Sequence, residues 1–168
     1  MALTDESEVW ERRLAALPRA SYSAGATVLT EGTKTGRLLI LKSGAVSIVK
    51  RGTVIAKVTE PGAVFGELSA LLGQPHGADV LALETSEFHV ADAATLLQDP
   101  AALLYITMIL ARRLDGANHA FLELKSQLAA GEPAGLIDQT LGKIERLLNA
   151  IGTGYIRAGA GFSGYPFQ

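Results

Sequence analysis

The chain has 168 residues, the size of one ordinary domain and enough to bury a core without metal or disulfide support. Apolar residues make up 48% and charged ones 19%, which excludes a disordered chain, and 15 basic against 17 acidic side chains give a net charge of −2, without the basic excess of a nucleic-acid binder. The absence of cysteine excludes disulfides, thiolate metal sites and iron–sulfur clusters, and fits a reducing compartment.

The opening MALTDESEVW is polar and acidic where a secretory signal needs a basic start and an apolar middle, so a cytoplasmic protein is expected. No apolar run is long enough to span a membrane, since YITMILARRL soon meets two arginines. From Ser7 to Leu17 apolar residues fall at Val9, Trp10, Leu14 and Leu17, close to a helical period, and Pro18 stops the helix. Residues 1–18 therefore read as a helical lead, with Trp10 as a packing residue.

From Ser21 to Val90 the texture changes to short β-type runs punctuated by glycine: TVLTEG, RLLILKSG, AVSIVKRG, TVIAKVTEPG, ADVLALE and EFHVAD. Runs this short, with a turn signal between each, predict an all-β sandwich or barrel, assigned to residues 19–94, with a hairpin turn at Lys50, Arg51 and Gly52. Inside it, residues 64–80 read VFGELSALLGQPHGADV. Gly66 has no side chain to block a ligand, and a helical turn from Glu67 to Leu72 would aim unpaired N–H groups at whatever lies in front of it, with a phosphate as the natural guest.

Past Thr95 the period becomes helical again, with Asp99 as N-cap and Pro100 at the first helical position. Leu103, Thr107, Leu110, Leu114, Ala117, Phe121, Leu124 and Leu128 then alternate spacings of four and three, a heptad seam. A helix rises about 1.5 Å per residue, so the β domain covers only its first turns, and Phe121, Leu124 and Leu128 need another partner. Residues 95–130 are accordingly read as hinge and dimerisation helices, giving a homodimer through 103–128. Ala129 to Gly135 is a helix stop and linker, after which Leu136, Ile137, Leu141, Ile144, Leu147, Leu148 and Ile151 trace a second apolar stripe. Residues 131–168 thus hold a C-terminal helix and a tail, GTGYIRAGAGFSGYPFQ, whose glycines suit an irregular segment, the alternatives for its aromatics being to dock on a partner or to fold back over the pocket.

The stretch 64–80 resembles the phosphate-binding cassette of cyclic nucleotide-binding domains. Phe65, Gly66, Glu67 and Leu68 match its FGEL, and Pro75, Ala78 and Val80 match its distal part, with eight residues between Glu67 and position 76 as in the family. The family has an arginine at position 76 to hold the cyclic phosphate, and this chain has His76. The resemblance implies a mainly β fold with α elements, a jelly-roll-like β-barrel flanked by an N-terminal helix and C-terminal hinge and dimerisation helices. Gly25, Glu31, Gly32, Gly44 and Gly62 fall where family members turn. It also implies a sensor that binds cAMP or cGMP and signals through movement of the C-terminal helix. Glu67 would accept from the ribose 2′-hydroxyl, and backbone N–H groups around Gly66, Leu68, Gly77 and Ala78 would reach the phosphate. The candidate ligand-binding set is Phe65, Gly66, Glu67, Leu68, His76, Gly77 and Ala78. An alternative for Glu67 is a carboxylate that complements the helix dipole.

A histidine of ordinary pKa is about a quarter protonated at neutral pH, and each ring nitrogen donates only once, so nucleotide binding is expected to be weak and pH-dependent. The alternatives are that His76 is a solvated loop residue and that the chain is a degenerate barrel serving as a protein–protein interaction module with a protein effector. His76, His89 and His119 show no metal-binding spacing, and no nucleophile motif is present, so neither a metal, a catalytic residue nor a cofactor is expected, and the chain reads as a non-enzyme. In the catabolite activator family a winged helix-turn-helix follows the long helix. Here the forty residues after Leu128 carry only Lys143, Arg146 and Arg157 as basic residues, which argues against direct DNA binding.

Overall fold

The structure, a computed structural model, describes residues 3–131 and 133–149, and the side chains of 9–131 and 133–144. Helix α1 (Leu3–Ala16) leads into eight strands, β1 (Arg19–Tyr22), β2 (Thr27–Leu29), β3 (Arg37–Ser43), β4 (Val46–Lys50), β5 (Thr53–Val58), β6 (Val64–Phe65), β7 (Asp79–Ala82) and β8 (Ser86–Asp92). Helix α2 (Glu67–Leu72) interrupts them between β6 and β7, and α3 (Ala93–Leu96), α4 (Pro100–Ala130) and α5 (Ala134–Asn149) follow.

The strands form two antiparallel sheets, ordered β1-β8-β3-β6 and β2-β7-β4-β5. This corrects the barrel: the sheets are not closed on one another but face each other as a sandwich, the strands of two to seven residues being divided between them by the glycine turns. Gly25, Gly32, Gly44 and Gly62, expected at turns, all have positive φ. The β4–β5 hairpin turns through Arg51 and Gly52, at φ 50° and 77°, as a two-residue turn with both central residues left-handed requires. Two strands have no counterpart among the runs read from sequence, β1 and the two-residue β6.

Strand β3 explains the layering. Its residues alternate between two cores: Leu39 and Leu41 pack between the sheets with Val46, Ile48, Val80 and Phe88, while Leu38 and Ile40 pack against the helices with Trp10, Tyr105, Ile106 and Ile109. A strand buried on both faces reads as a continuous apolar run, as RLLILKS does. Trp10 stacks on Tyr105 with ring centroids 4.6 Å apart, so the leading helix is fastened to α4 by the packing residue expected. Arg13 adds an ion pair to Asp99, which caps α4 through a 3.0 Å bond from the Ala101 amide. Tyr105 donates to the Gly62 carbonyl at 3.1 Å, tying α4 to the turn before β6.

Helix α4 has two apolar faces. Ala102, Ile106, Ile109, Ala117 and Ala120 are buried, whereas on the predicted seam Leu103, Thr107, Leu114, Phe121 and Leu128 are exposed and only Ala117 is buried. The inward stripe lies one residue, about 100°, away from that seam. Beyond the β domain the inward stripe is met by α5, which turns back antiparallel to α4: Thr140 donates to Gln127 at 2.9 Å, Lys143 pairs with Glu123 at 3.0 Å, and Ile144 is buried. Of the seam residues for which a distal partner was expected, Phe121 and Leu128 stay exposed, because α5 covers the other stripe. The outer stripe residues Leu147, Leu148 and Ile151, and the tail, lie outside the residues whose side chains are described.

Candidate functional site

Strand β6 delivers the chain to the site. Val64 and Phe65 pair with Ile40 and Leu39 of β3, and the Phe65 ring meets Phe88 edge-on at 6.1 Å, so the cassette begins from a residue fixed in the core. Gly66 then takes φ 88°, and a β-carbon there would sit 2.7 Å from the Arg37 carbonyl oxygen, which explains the glycine. Glu67 opens α2 and is buried; Gly73 closes the helix in the left-handed region. After the loop, β7 re-enters the second sheet between β2 and β4.

All seven residues expected at the site, Phe65, Gly66, Glu67, Leu68, His76, Gly77 and Ala78, line a single half-open cavity of about 180 Å³. Leu29, Ile48 and Val80 give it an apolar wall, with Ser69 and Gln74 beside the cassette. Two cations, Lys50 and Arg113, also line it, and neither was anticipated. Arg113 is the more informative. Its Nη1 donates to Glu67 Oε1 at 2.5 Å, and the two side chains are 11% and 7% exposed, a buried ion pair joining the cassette to α4 across 46 residues of sequence. The signal was present: Arg113 stands four residues from both Ile109 and Ala117, on the otherwise apolar buried stripe of the helix, where a charge requires a partner.

His76 is not a solvated loop residue. It is 6% exposed, its amide donates to the Thr33 carbonyl at 2.8 Å, its carbonyl accepts from Gly32 at 2.9 Å, and Nε2 shares a 3.0 Å hydrogen bond with Thr35 Oγ1. Burial pushes its pKa below the ordinary 6.5 against the opposing pull of Glu67, so it carries less charge at neutral pH than composition alone implies. His89, buried in β8, is lowered likewise by burial and then by the charges of Arg19 and Lys42, against a backbone hydrogen bond with Leu14 and the charge of Glu87. Both imidazoles bind a proton less readily folded than unfolded, so their contribution to stability is complete above about pH 6.5 and is lost as the pH falls from there toward the lowered folded values. Urea midpoints should decrease from pH 7.5 to pH 5.5, and the combined replacements His76→Gln and His89→Gln should flatten that slope; midpoints that rise on acidification would contradict the assignment.

Residues 19–98 match the family model described as "Cyclic nucleotide-binding domain". Among solved structures, the chain is similar to PKAR CBD2 bound to Sp-2Cl-cAMPS, at 25% identity and TM-score 0.55, over 74% of this chain and 80% of that one. It is also similar to the N-terminal domain of a transcriptional regulator from Streptomyces coelicolor A3(2), at 25% identity and TM-score 0.53, over 67% of this chain and 84% of that one. A cAMP-bound PfPKA-R chain aligns at 22% identity and TM-score 0.48 over 72% of this chain, which spans 39% of that chain's length. No curated protein matches the sequence. No helix among the described residues is long and apolar enough to cross a membrane.

Proposed function

We propose that the protein is a regulatory sensor that binds cAMP or cGMP, weakly, in the cavity at Glu67 and passes occupancy to α4. The observation that carries this reading is the convergence of the seven cassette residues on one cavity whose buried carboxylate is already bonded to α4. Glu67 is the acceptor for the ribose hydroxyl, and the backbone from Gly66 to Leu68 and at Gly77 and Ala78 surrounds the phosphate. The matched family and the cAMP analogue bound by PKAR CBD2 support a nucleotide as the ligand. The role is binding without catalysis, in the cytoplasm, and the exposed stripe of α4 pairs with a second copy.

The alternative, a domain that has kept the fold, lost the nucleotide and holds a protein partner, is supported by the absence of an arginine at position 76 and by the exposed Leu114, Phe121 and Leu128. A thermal shift with millimolar cAMP or cGMP separates the two. At ten to a hundred times Kd a ligand of the folded state adds about 1.4–2.7 kcal/mol, a rise of at least a few degrees in Tm for a domain of this size. An unmoved Tm with both nucleotides would favour the alternative.

A further inference from the structure

A nucleotide phosphate brings a negative charge into a cavity whose cassette offers no permanent cation. His76 is buried, its Nε2 is engaged by Thr35, and its pKa is lowered. Of the two permanent cations that line the cavity, Lys50 is an exposed residue at the end of β4, whereas Arg113 is held within the wall beside the cassette. Resting on the nucleotide reading above, we propose that Arg113 of α4 supplies the counter-charge to the ligand's phosphate, in the role that falls to position 76 in the matched family, and that phosphate and Glu67 compete for it.

Three observations converge on this assignment. The guanidinium is a planar fork of donors that suits a phosphate as well as a carboxylate, so exchange of one for the other conserves its bonding. The cavity is half-open and Arg113 is part of its wall, so a ligand that enters beside the cassette comes up against the guanidinium. Arg113 also sits between the part of α4 packed on the β domain, through Ile106 and Ile109, and the part bonded to α5, at Glu123 and Gln127. Transfer of its bond from the cassette to the ligand therefore changes how α4 is held at the point where its packing changes hands. A ligand of this site must then carry phosphate: the matching nucleoside should bind ten- to a hundredfold more weakly than the nucleotide, the worth of one charge-assisted contact.

Calorimetric titration of the full chain with cAMP and cGMP, and in parallel with adenosine and guanosine, tests this. Arg113→Gln should lower nucleotide affinity ten- to a hundredfold more than it changes nucleoside affinity, and Arg113→Lys should recover part of the loss. Because Arg113→Gln also removes a buried pair, a melting curve accompanies it, and Glu67→Gln gives an independent reading. With its competitor neutralised, the ratio of nucleotide to nucleoside affinity should rise. Equal nucleotide affinity in Arg113→Gln and the unaltered protein, a larger loss in Lys50→Ala than in Arg113→Gln, or a ratio near one in the unaltered protein would overturn the assignment while leaving ligand binding intact. Failure of the unaltered protein to bind any of the four would overturn the nucleotide reading and this inference together.

Discussion

Glu67→Ala is expected to lower the stability of the folded protein by about 3 kcal/mol and to abolish measurable nucleotide binding. Removing one partner of a buried ion pair leaves the other charge desolvated without it, which typically costs about 3–5 kcal/mol. The low end applies because the Glu67–Arg113 pair lines a half-open cavity that water can enter. Urea unfolding of the variant measures the first effect. The double replacement Glu67→Ala with Arg113→Ala should be less destabilised than the sum of the single ones, since it deletes the orphaned charge as well. A cost below about 1 kcal/mol would be that of a solvated surface pair and would contradict the burial. The loss of binding follows from the same atoms, because alanine offers no acceptor for a ribose hydroxyl.

The second large effect concerns assembly. Leu114→Glu combined with Phe121→Glu should raise the dissociation constant of the proposed dimer by at least three orders of magnitude, about 4 kcal/mol, as read by analytical ultracentrifugation. Both side chains lie on the seam predicted from heptad spacing, and they are 61% and 50% exposed in the isolated chain. A carboxylate at either position meets water in the monomer and a desolvated interface in the pair, so the cost falls on association. The melting temperature of the variant at high dilution should match that of the unaltered protein. A chain already monomeric at high concentration would refute the pairing.

What the sequence displayed and what it hid divide along physical lines. The start of the cassette and the turns around it were legible because their glycines answer local demands: Gly66 must adopt φ 88° beside the Arg37 carbonyl, and Gly32 and Gly62 must turn. The cap at Asp99, the hairpin at Arg51 and Gly52, and the packing of Trp10 are local or periodic and were equally plain. Strand β1 was not, because RASY is short, half exposed, and paired only with β8. The sandwich, as opposed to the barrel, depends on which strands share hydrogen bonds, and alternation within a strand carries no information on that. Arg113 was hidden by ambiguity on one helix. Two apolar stripes overlap on α4, and the seam with unbroken heptad spacing is the one left to solvent, so the arginine on the other stripe drew no assignment.

Those stripes also make adjacent residues face different neighbours. Arg113 touches the cavity and Leu114 faces outward, so a turn of the helix cannot move one without the other. In the proposed sensor, occupancy and self-association are then thermodynamically linked, each altering the other's affinity by the same factor. Nucleotide affinity becomes a function of how much of the protein is present, and the cell can tune the sensor's threshold simply by changing its copy number.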